Sequence, residues 1–174
     1  MKRLGVRLGV RLGVRLGILL GVLLGTAAAK QQQDLGLPLG TRAPGAVVQT
    51  LDGKDVDLAS YLGKGPVVIE FWATWCENCK ELEPSLLAAV KQYAGKVTFI
   101  GVAVSVNQSP ERVRNYAAKH GLTHTILFDA RGNATGAYDV PATSYVVVIN
   151  KNGLISYTGG GGDQDLGAAI KRGM

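Results

Sequence analysis

The apolar residues of this chain follow two rhythms. Pro66-Val67-Val68-Ile69-Glu70-Phe71-Trp72 is a near-continuous apolar run with β-branched residues, which suits a central strand buried on both faces. Val97 to Val106 reads as a second buried strand. Between them, from Cys76 to Tyr93, the spacing turns helical: Leu82, Leu86, Leu87 and Val90 recur with Lys and Glu between them. Pro84 inside that stretch predicts a kink. Upstream, Ala46 to Leu51 reads as a strand, Asp52-Gly53 as a hairpin turn and Lys54 to Leu58 as the returning strand. A single helical turn over Ala59 to Leu62 follows, broken by Gly63 to Pro66. Downstream, Ser109-Pro110-Glu111 starts a helix that runs to about His120 and ends at Gly121. Thr125 to Asp129 is a short strand. Tyr145 to Asn150 and Leu154 to Thr158 form a hairpin across Lys151-Asn152-Gly153, and Asp163 to Arg172 is a final helix. Strands that alternate with helices, followed by a hairpin and helix, predict an α/β fold: a mixed central sheet flanked by helices on both faces.

The first thirty residues have a different character. A tetrapeptide repeat, L-G-V-R, runs through Arg15; its period is far below the ~20 residues of a solenoid, so it is low complexity. An uncharged apolar run then leads to Ala27-Ala28-Ala29. A positive start, an apolar middle and a small-residue end describe a secretory signal peptide over residues 1–29. The rival is an uncleaved membrane anchor. Leu16 to Ala29 as helix spans ~21 Å, against the ~30 Å of a bilayer core, and a longer span would bury Arg15 and Arg11. Geometry therefore favours cleavage, and contact with the membrane is expected only transiently, through the leader. Residues 30–45, polar and rich in Gly and Pro, read as a linker or irregular arm, and 46–174 as one domain. The mature chain is expected in the periplasm or another extracytoplasmic space, where thiols can be oxidised.

Charge changes little once the leader is set aside. The net charge is +6, but Lys2, Arg3, Arg7, Arg11 and Arg15 are five of the 19 basic residues; the other 14 face 13 acidic ones. The body is nearly neutral and carries no basic patch interleaved with aromatics, so nucleic acid is not an expected partner.

Only two cysteines are present, spaced C-x-x-C in Trp75-Cys76-Glu77-Asn78-Cys79, after a buried strand and at the opening of a helix. A thiolate is the attacking species in disulfide exchange, and the first turn of a helix lowers a thiol's pKa through its free N–H groups and its dipole. Cys76 is expected to be exposed and to attack. Cys79, one turn further in, is expected to be more buried and to resolve the mixed disulfide. Other readings compete. A structural staple across so short a loop restricts the unfolded chain little. Zinc needs four ligands, and only His120 and His124 remain as further soft partners. A copper-binding or copper-delivery module can use two thiolates for Cu(I), and stays as the alternative.

The stretch Phe71-Trp72-Ala73-Thr74-Trp75-Cys76-Glu77-Asn78-Cys79-Lys80, with Pro84 five residues beyond the second cysteine, resembles the active-site segment of thioredoxin-like thiol-disulfide oxidoreductases of the exported TlpA/ResA type. Ala43-Pro44-Gly45, Leu51-Asp52-Gly53-Lys54 and Val140-Pro141-Ala142-Thr143-Ser144-Tyr145 resemble the same family. The resemblance spans about Gly40 to Gly160. It implies a thioredoxin-like fold with an N-terminal β-hairpin and a central insertion. It also implies dithiol-disulfide exchange with other exported proteins, including apocytochrome c, without a bound cofactor and with electrons from a membrane-associated donor. Pro141 corresponds to the family's cis-proline facing the cysteines, which leaves the backbone of Val140 free to pair with an extended substrate; Trp75, Val140 and Pro141 are the implied substrate contacts.

Glu70 lies inside the apolar strand before the motif. A buried carboxylate is costly when charged, so its pKa is expected to rise. It matches the buried acid of thioredoxin, which implies a proton relay to Cys79; the alternative is a carboxylate paired with a lysine. Two positions depart from the family. Leu82 stands where a Glu usually lies three residues after the second Cys, with Glu81 and Glu83 beside it, and Asn78 stands where Pro is common. Glu77 between the cysteines disfavours a thiolate nearby, which points to a reductase. A peroxiredoxin pattern fails: Ile69 occupies its proline position and Thr74 is displaced by one. Gly159 to Gly162 lacks a following Lys-Ser or Lys-Thr and reads as a loop. Asn107-Gln108-Ser109 and Asn133-Ala134-Thr135 match a common glycosylation triplet, and His124 reads as a packed or surface histidine.

Overall fold

The computed structural model describes residues 36–174; the expected signal peptide and the start of the arm lie outside the described residues. The alternation of strand and helix signals resolves into β1 (Val47–Thr50), β2 (Asp55–Asp57), β3 (Val67–Trp72), α1 (Glu77–Gln92), β4 (Thr98–Val104), α2 (Pro110–His120), β5 (Thr125–Asp129), α3 (Asn133–Ala137), β6 (Tyr145–Ile149), β7 (Ile155–Gly160) and α4 (Leu166–Gly173). A 3₁₀ turn over Leu58–Tyr61 follows β2. One mixed sheet has the order β2-β1-β5-β4-β3-β6-β7. The two apolar runs, β3 and β4, pair in parallel at its centre, with β5 parallel on the far side of β4 and β6 antiparallel on the other side of β3. All six residues of β3 are buried, as an interior strand requires.

Strand alternation divides the core in two. Val67, Ile69 and Phe71 face a cluster with Val48, Leu58, Tyr138 and Tyr145, from β1, the 3₁₀ turn, the end of α3 and β6. Val68 faces Leu82, Leu86 and Ala89 of α1 and Leu166 and Ile170 of α4. Helices thus cover both faces. By the same alternation Glu70 and Trp72 lie on the α1 face.

The local signals act as their chemistry dictates. Gly53 (φ 83°) closes the first hairpin, and its N–H donates to the Thr50 carbonyl at 3.0 Å. Ser109 caps α2, its hydroxyl accepting from Arg112 N at 3.3 Å, and Gly121 (φ 66°) ends it. α1 runs through Pro84, which removes one backbone donor from its interior. α2 and β5 occupy the place of the expected central insertion, carrying the sheet from β4 across to β1. The described part of the arm is tied down: Gly40 N–H and Ala43 N–H donate to the carbonyls of Ile155 and Gly153 at 2.8 and 2.9 Å. α3 has no counterpart in the sequence reading. Its first amides, Ala134 N–H and Thr135 N–H, donate to the Asp129 carboxylate at 3.2 and 2.8 Å, so its cap comes from the end of β5 and not from a flanking Ser or Thr.

Candidate active site

β3 ends at Trp72, and the chain turns over Ala73–Trp75 into α1 with Cys76 as the N-cap residue. The Cys76 N–H donates to the Ala73 carbonyl at 3.1 Å. Cys76 Sγ accepts the amide N–H of Cys79 at 3.1 Å. The sulfur therefore occupies the place that a Ser or Asp oxygen takes at other helix starts, where orphan N–H groups and the helix dipole favour negative charge. Cys76 and Cys79 are joined as a disulfide, so the oxidised form is described.

One expectation is corrected here. The sequence predicts an exposed Cys76 and a more buried Cys79; Cys79 is buried, but Cys76 is equally so, both at 5% exposed. The disulfide draws the Cys76 sulfur toward Cys79, and both pack with Trp72, Ala73, Ala103, Val104, Val113 and Phe128. Exposure does not distinguish the two sulfurs in this state; position does, because Cys76 alone is the cap.

The loop between β4 and α2 fixes the motif from outside. Thr74 N–H donates to Gln108 Oε1 at 2.9 Å, and Gln108 Nε2 donates to the Val104 carbonyl. Trp75 Nε1 donates to the Val106 carbonyl at 2.8 Å, leaving the indole 39% exposed. Trp75, Val104, Val106, Val140, Ala142 and Thr143 contribute to the walls of a cleft of about 280 Å³. Trp75 and Val140 are thus brought together as expected; Pro141 is exposed and does not line this cleft.

The expected cis bond is also corrected. No peptide bond among the described residues is cis, so Val140–Pro141 is trans. Trans is the favoured isomer by about 0.5–1 kcal/mol, and left-handed Asp139 (φ 49°) and Ser144 (φ 62°) turn the chain without it. Nor is the Val140 backbone fully free, since its N–H donates to the Thr135 carbonyl at 3.0 Å.

Behind the disulfide lies a second, much smaller cavity of about 10 Å³, lined by Glu70, Trp72, Cys79, Glu83, Leu86, Tyr116 and Leu122. Glu70 is 5% exposed. It stands opposite Gly101 on β4 and Val146 on β6, neither of which offers a counter-charge. Burial, with a smaller contribution from the Glu83 charge, pushes its carboxyl from 4.5 up to about 8. The lysine-paired alternative has no support, because no ion pair among the described residues involves Glu70. Gly101 is needed for space: a Cβ there would lie 2.9 Å from Trp72 Nε1 and from Ile126 Cδ1, and 3.2 Å from His124 Nε2.

The sequence reading singled out neither Glu83 nor Tyr116 as a functional residue. Glu83 accepts the Tyr116 hydroxyl at Oε2 (2.9 Å) and meets His120 Nδ1 at Oε1 (2.8 Å). The His120 ring stacks on Tyr116 at 3.8 Å. Burial first, and then the bond to Glu83, raise the Tyr116 hydroxyl. His124 is packed, and burial lowers its imidazole to about 4 against the opposing pull of Glu83. The available signal was spacing: Glu83 lies four residues after Cys79, on the same helix face. Leu82, where the family's acid usually stands, is wholly buried in the core. Among the described residues, no group of three or more His, Cys, Asp or Glu side chains is placed to hold a metal.

The model of the AhpC/TSA family matches residues 39–158 of this chain. Thioredoxin-like protein YneN of Bacillus subtilis (strain 168) is 31% identical over 125 residues, 71% of this chain and 72% of that protein. Thiol-disulfide oxidoreductase ResA of the same organism is 33% identical over 116 residues, 67% of this chain and 64% of that protein. Among solved structures, a secreted Mycobacterium tuberculosis disulfide oxidoreductase homologous to E. coli DsbE superposes with a TM-score of 0.62 at 27% identity, covering 72% of this chain and 92% of that one.

Proposed function

Given that the chain belongs to the AhpC/TSA family and is a thioredoxin-like thiol-disulfide oxidoreductase of the ResA/DsbE type, we propose that it acts outside the cytoplasm as a reductase of disulfides in other exported proteins, apocytochrome c among them. The observation that carries this reading is the Cys76 sulfur at the N-cap of α1, accepting the Cys79 amide. In the reduced enzyme the Cys76 thiolate attacks a substrate disulfide, forms a mixed disulfide and releases one substrate thiolate. Glu70, in the molecules where it is ionised, takes the proton from Cys79. The Cys79 thiolate then attacks Cys76 Sγ, closing the Cys76–Cys79 disulfide and releasing the second substrate thiolate. The substrate segment lies along the cleft walled by Trp75 and Val140 beside the motif, and the exposed Pro141 is a further contact outside it. A membrane-associated donor restores the dithiol; no resident cofactor takes part.

Export is supported by the leader sequence and by the secreted character of the Mycobacterium tuberculosis relative. The reductase direction is supported by Glu77, which lies between the two cysteines in the chain, its side chain 82% exposed and 2.6 Å from the half-exposed Lys80. An exposed pair of this kind is screened, so Lys80 offsets the Glu77 charge only in part. Insulin reduction by the wild type and by Cys76→Ser and Cys79→Ser variants tests the enzyme. Turnover by the wild type alone supports it. Failure of the wild type to turn over, together with tight Cu(I) binding, replaces it with the copper-delivery alternative. A reduction potential for the couple well above thioredoxin's ~−270 mV reverses the direction.

A further inference from the structure

The mechanism leaves Glu70 holding the proton of Cys79 in an apolar strand, sealed beneath α1. Restoring the Glu70 carboxylate while the enzyme is still oxidised requires that proton to reach water. β3 offers no exit: Glu70 is flanked by Gly101 and Val146, and its strand neighbours are Ile69 and Phe71. The cavity it shares with Cys79 opens instead toward Glu83 and Tyr116. At about 10 Å³ it has about the room that one bridging water needs. Glu83 is in turn held by two groups from α2, the Tyr116 hydroxyl on one oxygen and His120 Nδ1 on the other. The His120 side chain is 30% exposed. Proton-bearing groups therefore line the way from Cys79, through the shared cavity, to His120 at the surface.

We infer that Glu83 and His120 form the proton exit of the resolving step, carrying the proton of Cys79 from Glu70 to water. This rests on the role given to Glu70 above. The balance is simple. Cys79 S–H gives its proton to the Glu70 carboxylate, and the sulfur attacks Cys76 Sγ. Glu70 passes the proton to Glu83, directly or through one water. Glu83 passes it to the unprotonated Nδ1 of His120, His120 releases a proton from Nε2 to solvent, and exchange of the ring protons with water restores the starting tautomer. No electron moves along this path. Tyr116 donates to Glu83 and stacks on His120, which fixes both ends of the transfer; it is a positioning residue. The groups that face Glu83 are Glu70 from β3, Cys79 from α1, Tyr116 and His120 from α2, and His124 ahead of β5; the exposed Glu77 acts on Tyr116. Tyr116 and His120 are both bonded to Glu83 and both partly exposed, but of the two only the His120 ring has one nitrogen to take a proton and another to release one.

The test is the rate at which Cys79 resolves the Cys76–glutathione mixed disulfide, formed by rapid mixing of reduced, full-length protein with excess glutathione disulfide and followed by tryptophan fluorescence across pH. In Glu83→Gln the step slows at least about tenfold, the weak end of acid-base contributions, and its pH midpoint falls, because the charge that holds the Glu70 proton is gone. In His120→Ala the step slows, and added imidazole restores it by filling the space beside Tyr116. An unmoved midpoint in Glu83→Gln, or a His120→Ala defect that imidazole leaves untouched, overturns the inference. Should Glu83→Gln not fold, the imidazole response of His120→Ala decides alone. Glu70→Gln separates the two levels. If it slows the step while Glu83→Gln and His120→Ala do not, only the exit is wrong; if it leaves the step unchanged, the role of Glu70 falls and the exit with it.

Discussion

Replacing Glu70 by Gln removes a proton site from the centre of the sheet while keeping shape and hydrogen-bonding capacity. In the unfolded chain this carboxyl ionises near 4.5; in the fold, burial and Glu83 hold its proton until about 8. Below 4.5 both states carry the proton, and the contribution to stability is fully present. As pH rises from 4.5 toward 8, the unfolded chain gives up a proton that the folded chain keeps, so stability falls; above 8 the loss is complete. At 1.36 kcal/mol per tenfold change, the whole loss amounts to about 5 kcal/mol, as large as the entire stability of some small domains. Glu70 is 5% exposed, so solvent screening removes little of this. Urea unfolding of the oxidised wild type and of Glu70→Gln, from about pH 4 to about pH 9, measures it. The two are expected to be similar at the acid end, and the variant to gain steadily from there, reaching an advantage of about 5 kcal/mol by pH 9. Curves that stay parallel across the range refute the reasoning, because they mean that Glu70 titrates alike in both states.

Other consequences are as specific. Cys79→Ser is expected to accumulate a mixed disulfide between Cys76 and a protein substrate, visible as a mass increment that dithiothreitol removes, whereas Cys76→Ser traps nothing. Trp75→Ala removes an exposed wall of the cleft and the bond to the Val106 carbonyl; KM for a protein disulfide is expected to rise several-fold, with little change for a small-molecule disulfide, as steady-state kinetics can read. Gly101→Ala places a methyl 2.9 Å from Trp72 Nε1 and Ile126 Cδ1, and thermal unfolding is expected to show a loss of about 1–3 kcal/mol from overpacking.

The parts of the fold that rest on local chemistry were legible in the chain. β3 and β4 announce themselves because strands buried on both faces need uninterrupted apolar residues, and α2 because Ser109, Pro110 and Gly121 mark both its ends. α3 was not legible: Asn133, Ala134, Thr135 and Gly136 show no apolar period, and the cap is Asp129, four residues before the helix begins. At the site, Cys76, Cys79 and Glu70 follow from spacing and from the oddity of a carboxylate in an apolar strand. Glu83 hid among the charged residues of α1, because only the packing of α2 shows that this one turns inward to Tyr116 and His120. The trans Val140–Pro141 bond lay beyond the sequence for a similar reason. The turn is made by Asp139 and Ser144, whose left-handed backbones nothing in their identities demands.

Everything functional depends on the electrostatic setting of one sulfur at the start of α1. The most direct measurement is the rate of iodoacetamide alkylation at each cysteine of the reduced protein as a function of pH, resolved by peptide mass. Cys76 is expected to react much faster than Cys79, with a midpoint well below the ~8.5 of a free thiol. Equal rates at the two cysteines, or a Cys76 midpoint at or above that value, contradict the account.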